Sequence, residues 1–259
     1  MSFLASQKIN KLIKANSLDL NDVTVIDPSE DKSKLKQFGQ LLYDKRKRKG
    51  MTLYEAKKLM KERNYFGAMM VEVGEGDALI SGLTKDYPRT ILPSLQVIGV
   101  KKGVDKVAGM YIMNTDKGPL FFADTTVNEN PTADELVEII GLTANGVRFF
   151  DIEPTIAILS YSNFGSAKGK VPVKTALATA KAKEQFPDLV IEGEMQANVA
   201  LDEGIQKENY PFSSLINNKA NTLIFPDLAS GNIAYKLVAE IGNSEAIGPI
   251  LLGMNKSVH

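Results

Sequence analysis

Three carboxylates stand where apolar, β-prone runs end: Asp124 after FFA, Glu194 in IEGEM and Asp227 after LIFP. Open α/β sheets place their ligands at such strand ends. The last of them opens the most informative stretch, residues 221–253. There Leu223, Ile224 and Phe225 form a short buried run, Pro226 stops it, and the small residues Ala229, Ser230 and Gly231 lead into a helix. Ser230 reads as the N-cap. A helix N-terminus reached this way leaves backbone N–H groups pointing at one spot, a geometry that suits a phosphate-bearing ligand. The same pattern also fits an ordinary strand-turn-helix joint. The chain has no cysteine, and its only histidine is the last residue, His259. Disulfides, thiolate nucleophiles, Cys-based zinc sites, Ser-His-Asp triads and His-rich metal centres are thereby set aside. A site must use carboxylates, hydroxyls, amides, Lys, Arg and backbone.

The elements that position these residues alternate between strand and helix. Lys8 to Ala15 and Lys32 to Lys49 read as amphipathic helices, with VTVID (23–27) as a short strand between them. Thr52 and Glu55 make a capping box for a helix that ends near Asn64. Ala68 to Val73 and Ala78 to Ile80 read as strands joined by a GEG turn, and Val107 to Met113 pairs with Leu120 to Ala123. Asn130 caps a helix whose first residue is Pro131 and whose inward face carries Leu136, Ile139 and Ile140. Thr155 to Leu159 is a buried strand, Pro172 to Gln185 a helix, and Leu189 to Ile191 the next strand. In the last helix Ile233, Leu237 and Ile241 stack at helical spacing beside Ala234 and Val238, an apolar face. Repeated strand-helix-strand units predict two α/β domains with largely parallel sheets and helices on both faces. The expected boundaries are 1–105 with 250–259 for the first domain and 106–249 for the second.

Composition narrows the class. At 259 residues, 44% hydrophobic, with 31 basic and 31 acidic residues, the chain reads as a soluble globular protein with no nucleic-acid or membrane partner. No apolar run reaches the roughly 18 residues of a membrane span, and no secretory pattern opens the chain, so the expected compartment is the cytoplasm. The run Lys45 to Lys49 reads as a solvated helix end. GSAKGK (165–170) lacks the spacing and the Ser/Thr of a P-loop, and GEG (74–76) lacks the third glycine of a dinucleotide fingerprint. No NADP site is visible.

FGAMMVEVGEGDALISG (66–82), FFADTTVNENPTADELVEII (121–140), IEPTIAILSYSNFGSAKG (152–169), IEGEMQANVAL (191–201) and the 221–253 stretch resemble, in that order, the phosphate acetyl/butyryltransferase family. GEMQAN, YPFSSL (210–215) and GPILLGMNKSVH are most similar to the phosphotransacetylase-like C-terminal half of NADP-dependent malic enzymes. The resemblance implies attack of phosphate on the thioester of acetyl-CoA, a reaction that demands arginine to align the anion; orientation of this kind lowers barriers by about 7–11 kcal/mol. Where the family carries Thr-Leu-Arg-Pro this chain reads Thr90-Ile91-Leu92-Pro93, so the clamping arginine falls on Leu92, with Arg89 three residues away. The family's Ser-Thr-Lys-Gly-Ser-Ala loop reads Ser162-Asn163-Phe164-Gly165-Ser166-Ala167, a cation replaced by an aromatic ring. A catalytic Ser-Arg pair and an acid are expected beyond His259, and a strand and helix before Phe3, so the first domain is expected to be trimmed at both ends.

On these grounds the favoured expectation is a regulatory acyl-CoA-binding region of an NADP-dependent malic enzyme, without transferase activity. The alternatives are an active phosphate acetyltransferase and a structural oligomerisation module. The expected ligand is acetyl-CoA, bound in a cleft between the domains by Ser162, Asn163, Gly165, Ser166, Asp227, Ser230, Gly231, Asn232 and Arg89, largely through free backbone donors. A bulky residue at Gly231 is expected to weaken binding without unfolding the chain. No cofactor is expected in this chain, and NADP and a divalent metal only in the rest of the parent. Expected partners are the malic-enzyme domains of the same polypeptide and a second copy, in a homodimer or larger assembly anchored by Tyr210, Phe212 and Leu215.

Overall fold

A computed structural model describes residues 5–82 and 87–259. The chain divides into two compact units, Met1–Gly99 with Asn255–Val258, and Val100–Met254 with His259. The expected division was 1–105 with 250–259, and 106–249.

The first unit is mainly helical. It contains α1 (Ala5–Ala15), α2 (Lys32–Arg46), α3 (Leu53–Leu59), α4 (Arg63–Glu72) and α5 (Tyr87–Val97). Its described strands are β1 (Ala78–Leu79) and, from the far end of the chain, β8 (Ser257–Val258), paired in parallel. Thr52 and Glu55 form the expected capping box on α3. Lys45 pairs with Glu72 and Lys47 with Asp44, so part of the basic run is neutralised locally. Three expectations fail here. VTVID forms no ladder. The helix expected to end near Asn64 stops at Leu59, and Asn64 lies in the first turn of α4. Ala68 to Glu72, expected as strand, belongs to α4, because Tyr65, Phe66, Ala68, Met69 and Val71 are buried on a helix with little polar face. A short apolar run of that kind has no periodicity to separate helix from strand. GEG is therefore the exit from α4, with Gly74 at φ +84°, and not a hairpin turn.

The second unit carries the sheet. Its elements are β2 (Ala108–Thr115), β3 (Gly118–Ala123), α6 (Ala133–Arg148), β4 (Thr155–Leu159), α7 (Lys170–Gln185), β5 (Val190–Met195), α8 (Ala197–Leu201), α9 (Glu203–Asn209), β6 (Thr222–Ile224), α10 (Leu228–Ile241) and β7 (Glu245–Leu252). Six strands run in the order β5-β4-β6-β3-β2-β7. The β5, β4, β6 and β3 neighbours are parallel, whereas β2 pairs antiparallel with both β3 and β7. The sheet is mixed where a largely parallel one was expected, and the α/β class with helices on both faces holds.

Alternation along each strand splits the core by face. Phe121, Ile156, Ile158, Ile191 and Ile224 meet Leu136, Ile139 and Ile140 of α6 and Ala178 and Ala182 of α7. Their neighbours Phe122, Ala157, Leu159 and Leu223 meet Val199 and Ala200 of α8 and Ala234, Tyr235 and Val238 of α10. The N-cap of α6 is Thr132, in a capping box with Glu135, rather than Asn130. The N-cap of α10 is Asp227, whose side chain accepts from Ser230 N at 2.8 Å, rather than Ser230. Of the apolar face expected on α10, Ala234 and Val238 pack on the sheet, while Ile233, Leu237 and Ile241 are 58, 52 and 80% exposed.

Candidate functional site

Two polar turns sit at the C-terminal ends of the parallel strands, each built on a buried carboxylate. Asp124, at the end of β3, is 2% exposed. Its Oδ1 accepts from Gly109 N at 3.0 Å, Thr126 N at 2.9 Å and Val127 N at 3.1 Å, and its Oδ2 from Asn128 N at 2.8 Å and from Asn128 Nδ2. These donors are neutral and all but Gly109 are local, so the side chain replaces the sheet ladder where the chain leaves it. The first turn of α10 lies against this loop. A Cβ on Gly231 would stand 2.4 Å from Asp124 O, and Asn232 Nδ2 donates to Thr125 O at 3.2 Å.

Glu194, also 2% exposed, organises the other turn. Ile158 pairs with Gly193 but Leu159 pairs with Met195, so Glu194 is the extra residue of a bulge. A bulge re-aims its side chain, here beneath residues 162–167. Glu194 Oε1 accepts from Ser162 Oγ at 2.9 Å and from Gly165 N at 2.8 Å, while its carbonyl accepts from Phe164 N at 2.8 Å. Gln196 N donates to Asn163 Oδ1 at 2.7 Å, and Gln196 Nε2 to Tyr161 O at 2.8 Å. Phe164, at φ +48°, covers the turn by packing on Tyr210 and Phe212, with ring centroids 5.0 and 4.9 Å away.

The backbone donors of residues 162–167, and three of those at the start of α10, are already engaged. Ser162 N donates to Ser160 Oγ, Asn163 N to Ser166 Oγ, Phe164 N to Glu194 O, Gly165 N to Glu194 Oε1, Ser166 N to Asn163 O and Ala167 N to Ser162 Oγ. At α10, Leu228 N donates to Glu129 O, Ser230 N to Asp227 Oδ1 and Gly231 N to Asp227 O. Asp227 also brings its own negative charge to the N-terminus, where an anionic ligand was expected. The polar groups left facing outward are side chains: the exposed Ser166 hydroxyl and the exposed Lys168 and Lys170.

Ser162, Asn163, Gly165 and Ser166 are thus one cluster, and Asp227, Ser230, Gly231 and Asn232 another. Lys174 of α7 reaches the second, donating to Pro226 O at 2.8 Å and to Asn130 Oδ1 at 2.9 Å. Burial pushes its ammonium below the usual lysine range, against the pull of Asp227 and Glu135. Arg89 and Leu92 lie on α5, in the first unit. Both are exposed. On one helix, residues three apart are neighbours, so Arg89 lies about 4.5 Å from the Leu92 level along the axis and about 60° round it. Leu215, expected as an exposed anchor, is 1% exposed because it fills the core beside α8, whereas Phe212 is 67% exposed. Among the described residues no three His, Cys, Asp or Glu side chains gather where a metal could sit. Nor is any helix among them long and apolar enough to cross a membrane.

Such an arrangement is that of an α/β protein whose polar turns at the strand ends present hydroxyls and lysines. The chain belongs to the phosphate acetyl/butyryltransferase family: the family model described as "Phosphate acetyl/butaryl transferase" matches residues 2–259. It is 38% identical over 255 residues to a phosphate acetyltransferase of a Synechocystis species, covering 98% of this chain and 36% of that protein. With the phosphate acetyltransferase of Bacillus subtilis strain 168 it shares 38% over 252 residues, 97% of this chain and 77% of that one. A crystal structure of a phosphotransacetylase from Streptococcus pyogenes superposes with a TM-score of 0.86 at 37% identity, covering 98% of this chain and 77% of that one. The chain therefore spans about a third of one curated relative and about three quarters of the other. These findings overturn the expectation of a non-catalytic regulatory region of a malic enzyme, and with it the oxidoreductase parent and allosteric role.

Proposed function

We propose that this chain transfers an acyl group between coenzyme A and inorganic phosphate. The observation that carries the reading is 38% identity with curated phosphate acetyltransferases along nearly the whole chain. In the reaction a phosphate oxygen attacks the thioester carbonyl carbon, the C–O bond forms, the C–S bond breaks, and the departing thiolate takes up a proton. No electrons are exchanged. A chain without cysteine, and with histidine only at its last residue, fits direct attack by phosphate rather than an acyl-cysteine or acyl-histidine relay. Ser166, Lys168 and Lys170 supply donors and positive charge to the anionic substrates. The test follows release of free thiol from acetyl-CoA with and without inorganic phosphate. Phosphate-dependent release is expected; release that ignores phosphate, or none, overturns the reading.

Self-association is part of the same proposal. The stripe of Ile233, Leu237 and Ile241 on α10 presents an apolar face to solvent, suited to a second copy. Sedimentation of the wild type as a dimer and of Leu237→Glu as a folded monomer is expected; a wild-type monomer through the micromolar range rejects it.

A further inference from the structure

The strands β4 and β6 are neighbours in the sheet, but the chain leaves them toward opposite faces. Helix α7, after β4, packs on one face, and α10, after β6, packs on the other. Adjacent strands that part in this way leave a crevice between their C-terminal ends, where open α/β sheets take their ligands. The 162–167 turn follows β4 and the Asp227 turn follows β6, so both border this crevice. Lys174, in the second turn of α7, spans it. Its Nζ donates to Pro226 O, at the exit of β6, at 2.8 Å and to Asn130 Oδ1, in the loop after β3, at 2.9 Å. Both acceptors are neutral. An ammonium has three N–H groups, so these two bonds leave one N–H to spare and bring no opposite charge. Asp227 and Glu135 attract the ammonium through space rather than through hydrogen bonds, and their pull does not offset the cost of burying part of it. Tying the loops together would need only two neutral N–H donors; the charge and the third N–H are what such a tie does not explain.

We infer that Lys174 binds a phosphoryl oxygen of the substrate with its remaining N–H, in the crevice between β4 and β6. The inference rests on the proposed acyl transfer for its ligand but not for its geometry. The oxygen belongs either to inorganic phosphate or to coenzyme A, and the two are separated by measurement.

The chain has no cysteine, so Lys174→Cys of the whole chain introduces a single thiol that can be alkylated selectively. Bromoethylamine rebuilds an ammonium on an arm of lysine's length. Iodoacetamide places a neutral amide nitrogen at the same distance, with two N–H donors for Pro226 O and Asn130 Oδ1 but neither charge nor a third donor. Kd for inorganic phosphate and for coenzyme A is measured by calorimetry on wild type, Lys174→Cys and both alkylated forms, together with turnover and thermal midpoint. Lys174→Cys is expected to weaken one ligand about 10-fold or more, the worth of a hydrogen bond between charged groups. The ammonium form should recover most of that affinity, whereas the amide form should recover thermal midpoint without affinity. The ligand with the larger loss identifies the source of the phosphoryl oxygen. Unchanged affinity for both ligands in Lys174→Cys, or an ammonium form that binds no tighter than the amide form, overturns the inference and leaves Lys174 a tie between loops. Should Lys174→Cys not fold, acetylation of wild type by acetic anhydride, mapped by mass spectrometry, decides the matter. Saturating phosphate or coenzyme A should then slow modification at Lys174 and not at Lys207 of α9; modification of Lys174 that ignores both ligands overturns the inference. A wild type that binds but does not turn over sinks the proposed function alone. One that binds neither ligand sinks both.

Discussion

The Asp124 and Glu194 turns solve one problem in two ways. Each closes a strand end with a buried carboxylate, and each carboxylate follows a cis peptide bond. Asp124 takes most of its bonds from its own next four residues, saturating both oxygens on backbone N–H groups and one carboxamide. Glu194 instead reaches across to residues 29 and 32 positions earlier in the chain. The first turn is self-contained and carries α10 on its back. The second is a clamp between a bulged strand and a loop, and one of its ligands is itself a hydroxyl with a further partner. Changes at Asp124 should therefore be read in stability, and changes at Glu194 in what the loop presents.

The largest expected effect is that of Asp124→Ala. It strands the buried Gly109 N–H and removes the acceptor for Thr126, Val127 and Asn128 N–H groups, at a cost of about 3–4 kcal/mol. For a chain of this size that lowers the thermal midpoint by roughly 10 °C. Glu194→Ala should cost less, about 1–2 kcal/mol, because Gly165 is exposed and water replaces its lost acceptor. Urea unfolding of the two variants side by side checks this. Equal losses would break the comparison, since they would make the Glu194 turn as structural as its counterpart.

Gly231→Ala sharpens the Asp124 side. The added Cβ would meet Asp124 O at 2.4 Å, a backbone atom that cannot rotate away, so the first turn of α10 must back off the loop at about 1–3 kcal/mol. This reverses the expectation read from the sequence, in which Gly231 was a ligand contact open to a bulky side chain. Measured stability within about 0.5 kcal/mol of wild type would show that α10 is not seated on the Asp124 loop.

The same glycine explains what the sequence concealed about α10. Gly231 lets the helix approach the sheet, and Ala234, Tyr235 and Val238, three, four and seven residues on, continue the face it starts. Ile233, Leu237 and Ile241 have an equally good helical spacing, and hydrophobic periodicity alone did not separate them from Ala234 and Val238. Close approach, not side-chain size, set the rotation. In the second unit the strands were legible because alternate residues serve opposite faces, as Phe121 and Phe122 do. In the first unit the 68–73 run had no alternation to read, and VTVID had strand composition without a neighbour to pair with. The hydroxyls of the site were legible as a small-residue turn. The organising role of Glu194 was not, because a bulge and contacts some 30 residues apart leave no local pattern.

A third carboxylate supplies the control, with the smallest effect. Glu192, two residues before Glu194 on β5, is 5% exposed and takes donors from Ser214 N and Oγ, both at 3.0 Å, but also pairs with Lys183 at 2.6 Å. Burial works to raise its pKa, while Lys183 and the Ser214 donors outweigh burial and hold the carboxyl below the usual glutamate range. A carboxyl whose pKa is lower folded than unfolded adds stability that is fully present above the unfolded value, about 4.3, and disappears as pH falls through the folded value. Lys183→Ala leaves burial opposed only by the neutral donors of Ser214 and Gly193, so the folded pKa rises and the loss of stability on acidification begins at higher pH. Lys183 is nearly half exposed, which limits the cost at pH 7 to about 1 kcal/mol or less. Below the folded pKa, Glu192 is protonated with or without the lysine, and the variant should become as stable as wild type. Urea midpoints at pH 7, 5 and 3, repeated in high salt, measure this convergence. The donors at Asp124 are neutral, so salt should move the Lys183→Ala difference and leave the Asp124→Ala difference in place. If both differences respond alike, the distinction between a charge-paired carboxylate and one satisfied by backbone N–H groups does not govern this sheet.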